Sequence, residues 1–240
     1  MENIFKPSAI LEGIKGIIPN IPITLEIAVV AAIIGIILGF ILALFRVKKL
    51  PVLSQLATLY ISFMRGTPLL VQIFLSYYGI PVMLNILNYR FGTAFSINKI
   101  PNMVFVYVAF SLNEAAYMAE AIRAAILSVD RKDIEAAHSI GMTGGQTMRR
   151  VILPQAMIGA IPNLGNSIIS LVKSTSLAFT IGVMDMMGRA KVISGSNMRF
   201  FEVYIGLALL YWVMCIIIEF VVNKLEKKFN IRERKVVQND

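Results

Sequence analysis

Four ionisable side chains stand inside stretches that are otherwise apolar: Arg65, Glu114, Glu120 and Lys173, the last followed by three hydroxyls, Ser174, Thr175 and Ser176. A charge in such surroundings is costly to hold and normally faces the interior of a helical bundle. These residues therefore point either to a solute pathway or to structural ion pairs. Together they supply what a zwitterion held near a membrane midplane needs. Lys173 offers a cation for a carboxylate, while Glu114 and the hydroxyls of Thr175 and Ser176 offer acceptors for an ammonium. Arg65 can snorkel to an interface or face the pathway, and Thr67 sits beside it at a Gly66-Thr67-Pro68 break. Glu120 lies three residues before Arg123, close enough to pair with it on a helix. Glu114 and Lys173 carry the same two readings, pathway group or structural pair.

Other chemistries find no footing. One Cys and one His make neither a metal set nor a nucleophile with its base, and a single Cys forms no intrachain disulfide. Cys215 reads as a small packing residue inside a span. The chain contains no G-x-x-x-x-G-K-[ST] loop, so it is not expected to hydrolyse ATP, and no metal or cofactor is called for.

The elements that must position these groups are membrane helices. The sequence is 57% hydrophobic and 15% charged, with mean hydropathy +0.74, whereas soluble domains carry about 25% charge. The net charge of +9 would suit nucleic acid, but the basic residues gather at the ends of apolar segments, as membrane topology requires. No nucleic-acid partner is expected. An all-α, polytopic fold follows, a single transmembrane domain over residues 1–240 with five spans at about 22–45, 55–85, 100–127, 157–183 and 200–222. The first contains a Gly35-x-x-x-Gly39 pair, either a close helix contact or merely a small-residue face. Met1 to Asn20 reads as an interfacial or amphipathic segment. Asn85 to Lys99 and Asp185 to Arg199 read as external loops, and the basic tail from Lys224 to Lys235 as internal. With the N-terminus outside, 14 Lys or Arg fall inside and 7 outside, the bias expected of inward-facing loops. Lys173 then lies in the outer half of its span, about 24 Å along the helix from Met157.

One polar, basic island, residues 130–154, interrupts this pattern. Asp130 is placed to cap a helix over Arg131 to Ile140, with Asp133 in its first turn. Gly141 supplies a left-handed stop. Thr143 can cap a second short helix through Gln146 and Met148, closing on Leu153-Pro154. Ala136 and Ala137 would let another body approach the first helix closely, with Glu135, Arg149 and Arg150 offering charge at its edges.

Glu135-Ala136-Ala137, three residues, Gly141, nine residues and Val151-Ile152-Leu153-Pro154 resemble the EAA loop of ABC-importer permeases, E-A-A-x3-G-x9-I-x-L-P, departing only at Val151. Arg65-Gly66-Thr67-Pro68-Leu69, Ala116-Tyr117-Met118-Ala119-Glu120-Ala121-Ile122-Arg123 and Lys173-Ser174-Thr175-Ser176-Leu177 resemble the polar amino acid branch of that family. The stretches GMTGGQTMRRVILPQA, SIISLVK with TSLA, and YWVM look most like cystine permeases. The resemblance implies a type I importer permease in a bacterial inner membrane, carrying amino acids, L-cystine among them. It implies a dimer with a second permease, identical or paralogous, two ATP-binding cassette ATPase subunits, an external amino-acid-binding protein, and lipid around the whole. Glu135, Ala136, Ala137, Gly141, Leu153 and Pro154 would then form the ATPase-coupling element. Ser174 stands where the family often has Asp, and losing that anion argues against a strongly cationic substrate. The competing reading is a proton-coupled secondary transporter using Glu114, Glu120 and Lys173, which calls for an internal repeat; none is visible.

Overall fold

The computed structural model describes residues 5–237, with side chains described for all of these except Asn98 and residues 229–237. Ten α-helices follow one another among them, with no strand: α1 Pro7–Ile17, α2 Ile21–Val47, α3 Leu53–Gly66, α4 Leu69–Phe91, α5 Asn102–Leu127, α6 Arg131–Ser139, α7 Gly144–Thr147, α8 Leu153–Ser174, α9 Met186–Asn197 and α10 Phe200–Val237.

Helix α5 is the innermost. Thirteen of its 26 residues are buried, against three in α4, and it packs on α2, α3, α4 and α8. The contact with α2 is the most extensive in the molecule, and small residues make it possible. Gly35 lies against Cβ and Cγ of Glu114 and Gly39 against the backbone of Ala115 and Ala119, an approach that side chains on α2 would forbid. The Gly35–Gly39 pair is thus a helix contact. Large hydrophobics on the outer face of α2, among them Val29, Ile33 and Ile37, remain exposed.

Among the described residues, three helical stretches are long and apolar enough to cross a membrane, Pro7–Val47, Leu69–Phe91 and Phe200–Lys228, or four if the pair Gly144–Ile181 and Met186–Asn197, bent by 56°, counts as one. The expected span 100–127 is not among them, although α5 has the length. It carries Glu114, Glu120 and Arg123, which a helix enclosed by protein can afford and a lipid-facing one cannot.

Several boundaries differ from expectation. The span 55–85 is two helices, broken at Thr67-Pro68 because Pro disfavours helical geometry in the residue before it and lacks an N–H. Helix α4 runs on to Phe91, where Gly92 stops it at φ +63°. The short helix after Thr143 does not close at Leu153-Pro154. It passes through a π-helical turn, Met148–Ile152, in which Leu153 N–H bonds Met148 O, and continues as α8. Pro154 is tolerated at the start of α8 because the wider turn has already displaced the bonding pattern there. After Ser174 the chain tightens into a 3₁₀ run, Thr175–Ile181, and turns at Gly182 with φ +82°. The expected external loop from Asp185 to Arg199 is mostly helix α9. Asp185 caps it, Oδ1 accepting from Gly188 N at 2.8 Å, a signal of the kind read at Asp130 but overlooked here. Finally α1 is amphipathic as expected but lies on protein, with Gly13 against Val203, and with Gly206 of α10 against Ile10 and Ile14.

Candidate functional site

The break between α3 and α4 leaves carbonyls without helical partners, and Gln72 collects them. Its Nε2 donates to Met64 O at 2.9 Å and to Thr67 Oγ1 at 2.8 Å, while its Oε1 accepts from Asn113 Nδ2 at 2.9 Å. Irregular backbone within a membrane bundle survives only where such partners exist. Thr67 is pinned further by donating to Phe63 O at 2.9 Å. Neither Gln72 nor Asn113 was singled out from sequence, although an amide four residues after a Pro in an apolar run is a readable sign.

Next to this junction α5 presents Asn113, Glu114 and Tyr117, and α8 presents Asn163, Asn166, Ser167, Ser170 and Ser174, around a cleft of about 530 Å³ rimmed by Thr67 and Pro68. The α8 positions recur at intervals of three and four, one face of a helix. Glu114 is the only carboxylate lining this cleft. It is 5% exposed, its Cβ and Cγ lie 3.0 Å from where a side chain on Gly35 would begin, and its Oε1 has no hydrogen-bond partner among the described residues. A buried acceptor left open in this way is rare in a folded protein.

A second group lies one turn further along α5. Glu120 faces three guanidiniums: Arg46 of α2, with which it makes a short hydrogen-bonded pair, Arg123 Nε at 3.5 Å and Arg65 Nη1 at 3.8 Å. The expected pairing of Glu120 with Arg123 is present within this larger cluster. Thr58, Ser62, Arg46, Arg65 and Glu120 border a cavity of about 370 Å³. Arg65 also lies over the ring of Tyr117, 5.5 Å from its centre.

The run Lys173 to Ser176 does not act as one unit. Ser174 faces the Glu114 cleft and donates to Ser170 O at 2.9 Å. Thr175 is fully buried and donates to Val172 O at 2.7 Å. Lys173 and Ser176 line a different cavity of about 650 Å³, walled by Tyr204, Tyr211, Trp212 and Cys215. No carboxylate among the described residues lies within ion-pair distance of Lys173. The structure therefore brings Thr67, Glu114 and Ser174 to one cleft, Arg65 and Glu120 to a neighbouring one, and Lys173 with Ser176 to a third.

Helix α6 stands apart from these clefts. Asp130 caps it, accepting from Lys132 N at 2.9 Å; Gly141 follows at φ +81°; and Thr143 and Gln146 form a reciprocal capping box. Gln155 Nε2 donates to Asp133 Oδ2 at 2.9 Å and ties α6 to the start of α8. Glu135, Ala136, Gly141 and Pro154 are exposed, Leu153 is half-buried, and Ala137 is 4% exposed. Ala137 thus packs within the loop, and Ala136 is the small residue left outward.

Residues 35–231 match the family described as the binding-protein-dependent transport system inner membrane component. The chain is 39% identical over 237 residues to the L-cystine transport system permease protein TcyL of Bacillus subtilis, covering 99% of this chain and 97% of that one. It is 48% identical over 208 residues to the probable amino-acid ABC transporter permease protein PatM of Vibrio harveyi, covering 86% and 88%. Among solved structures, an amino acid ABC transporter crystallised with histidines superposes with a TM-score of 0.80 at 33% identity, over 93% of this chain and 99% of that one. The inward-facing MetNI methionine ABC transporter has a TM-score of 0.68 at 18% identity, over 88% and 95%, a likeness of fold.

Proposed function

The chain belongs to the family of inner membrane components of binding-protein-dependent transport systems, a multi-pass permease whose ATP hydrolysis is done by a separate subunit, and on that premise we propose that it is the translocating subunit of an amino acid importer with L-cystine as its substrate. One observation carries the substrate-path reading: a buried carboxyl group, Glu114, whose Oε1 has no hydrogen-bond partner, in a cleft whose other polar side chains are amides and hydroxyls. Such a cleft binds a small polar solute carrying an ammonium. The likeness to TcyL supports cystine in particular.

In the arrangement we infer, α2, the broken pair α3 and α4, α5, α8 and α10 make five crossings with the N-terminus outside, and α6 with Gly141 lies in the cytosol of a bacterial cell. Glu135, Ala136, Ala137, Gly141, Leu153 and Pro154 form the element that the ATPase grips. The exposure of Ala136, the left-handed Gly141 and the capping box support a rigid, protruding knob. Two permeases, two ATPase subunits and an external binding protein complete the complex. The test is reconstitution of the chain with the ATPase and binding protein that co-purify with it. Uptake of L-cystine and ATP hydrolysis stimulated by the loaded binding protein are expected. Accumulation driven by a proton gradient in the absence of ATP would overturn the reading.

A further inference from the structure

Charge is out of balance around Glu120. Its Oε1 takes the short bond from Arg46 and lies 3.8 Å from Arg65 Nη1, while its Oε2 lies 3.5 Å from Arg123 Nε. No other carboxylate among the described residues is within ion-pair distance of these three arginines, so one negative charge faces three positive ones. Donors are left over as well. Arg65 makes no hydrogen bond among the described residues, which leaves its five-donor fork open. Arg123 Nε is enclosed and likewise makes none, an uncommon state for a buried donor. Uncompensated cations within a membrane bundle are costly, and a second anion would remove that cost. Space for it exists. Arg46, Arg65 and Glu120 border the cavity of about 370 Å³ whose remaining walls are Thr58, Ile61, Ser62 and Gly66. Thr58, Ser62 and Arg65 recur at intervals of four and three along α3, so one helix face brings them to the same opening. The Thr58 hydroxyl donates to Ser54 O at 2.8 Å, whereas that of Ser62 makes no hydrogen bond among the described residues.

We propose that this cavity, between α2, α3 and α5, holds the phosphodiester of an acidic phospholipid of the inner leaflet, with Arg65 and Ser62 as its donors and Arg46 as a further positive charge. A guanidinium fork matches two phosphate oxygens bidentately, and basic pockets between membrane helices on the cytoplasmic side take phospholipid head groups. The surroundings suit a lipid better than a soluble ion. Leu56, Leu59 and Phe63, on the adjoining face of α3, are large, apolar and exposed, the surface that an acyl chain needs beside its head group. Arg46 stands one residue before the end of α2, and the exposed Lys48 and Lys49 follow it, which adds positive potential at that level of the membrane. Tyr117 holds the Arg65 guanidinium over its ring, 5.5 Å from the centre. A lipid bound here ties the end of α3 to α2 and α5 immediately before the Thr67-Pro68 break. The choice of leaflet rests on the topology of the permease reading above; the anion site itself rests on the cluster.

The test measures thermal stabilisation of the purified permease–ATPase complex, delipidated in a neutral detergent. The probes are dioctanoyl-phosphatidylglycerol, dioctanoyl-phosphatidylcholine, inorganic phosphate and glycerol phosphate. Wild type should half-saturate with the acidic lipid at a concentration about 10-fold below that of the zwitterionic one, as expected for a charge-assisted contact that only the first makes without an attached cation. The two soluble phosphates should match neither the affinity nor the stabilisation. Arg65→Gln should lose the lipid preference while its response to phosphatidylcholine is unchanged. Ser62→Leu, at an exposed position, fills the opening, leaves every charge in place and should lose the preference too. Lys48→Gln, outside the cavity, should keep it. A wild type that does not distinguish the two lipids overturns the proposal, as does a preference kept by Arg65→Gln or lost equally in Lys48→Gln. Preference kept by Ser62→Leu overturns it even where Arg65→Gln loses both preference and stability, because the arginine is then structural. Soluble phosphate as effective as phosphatidylglycerol makes the ligand a cytosolic anion and overturns the lipid assignment. Lipid preference in a complex that takes up no amino acid leaves the site standing and refutes the permease reading; uptake without the preference does the reverse.

Discussion

Replacing Gly39 by Ala tests whether the fold holds Glu114 in place through α2. A Cβ at Gly39 would stand 2.7 Å from Met118 Cβ, 2.9 Å from Ala119 N and 3.0 Å from Ala115 O. Unbonded carbon atoms rest at about 3.5–4.0 Å, so relieving the first contact alone parts the helices by about 1 Å. Two of the three atoms are backbone, and no rotamer change moves them aside. Overpacking of this kind costs about 1–3 kcal/mol. A Cβ at Gly35, one turn earlier, would stand 3.0 Å from Glu114 Cβ and Cγ, so α2 lies directly against Glu114 and any separation of α2 from α5 also displaces the carboxylate that the cleft depends on. The purified complex should therefore melt at a lower temperature than wild type, and substrate uptake should fall further than the loss of folded protein accounts for. Gly79→Ala and Gly159→Ala are the matched controls. A Cβ at either meets nothing within 4 Å, and replacing a helical Gly by Ala is worth about 0.5–1 kcal/mol in favour of folding. A Gly39→Ala protein that melts at or above wild type with normal uptake would refute the account of the α2–α5 contact.

The remaining expectations are simpler. In a Cys215→Ala background, Ser139→Cys and Ser196→Cys, both at exposed positions, should react with an impermeant reagent from opposite sides of the membrane, Ser196→Cys from outside; reaction of both from outside intact cells contradicts the five-crossing topology. Ala136→Trp should leave the permease folded and abolish co-purification of the ATPase, whereas Ala137→Trp, at a 4% exposed position, should destabilise the loop itself by about 1–3 kcal/mol or more; an Ala136→Trp complex that keeps its ATPase and normal uptake removes α6 from the docking site. Lys173→Met should leave L-cystine uptake close to wild type and melting unchanged or raised, because Lys173 lines a different cavity from Glu114 and an intramembrane charge without a carboxylate partner is a cost. A tenfold loss of uptake by a stably folded Lys173→Met protein returns that lysine to the pathway.

Much of the fold was legible because local rules decide it. Asp130, Gly141 and the Thr143–Gln146 box act within four residues of themselves, and the structure carries all three. The Gly66-Thr67-Pro68 break was equally local. What could not be read was which side of each break the chain would use, since that depends on partners brought from afar. Gln72 closes the α3–α4 junction only because Asn113, 41 positions later, meets it. Helix α5 shows the same dependence from the other direction. Its charges make it a poor membrane span by composition, and it is the core of the bundle because α2, α3 and α8, none of them next to it in the chain, pack around it. Glu120 was legible as the partner of Arg123 at three residues' separation. Its shorter bond to Arg46, 74 positions away, was not.

The division of Lys173 to Ser176 among cavities follows from helical geometry, and here the sequence held more than was taken from it. Successive helical residues point about 100° apart at 3.6 residues per turn, so four consecutive polar side chains cannot all face one solute. Ser174 belongs with Ser170 four residues before it, and beyond that with Ser167, Asn166 and Asn163, a single polar face that the structure turns toward Glu114. Lys173 belongs with Ser176 three residues after it and with Ile169 four before it, a face turned toward Tyr204, Tyr211 and Trp212 of α10. Thr175, pointing toward neither, is buried. Grouping polar residues by helix face therefore separates Lys173 from Ser174 in the sequence itself, and with it from the cleft that Ser174 shares with Glu114.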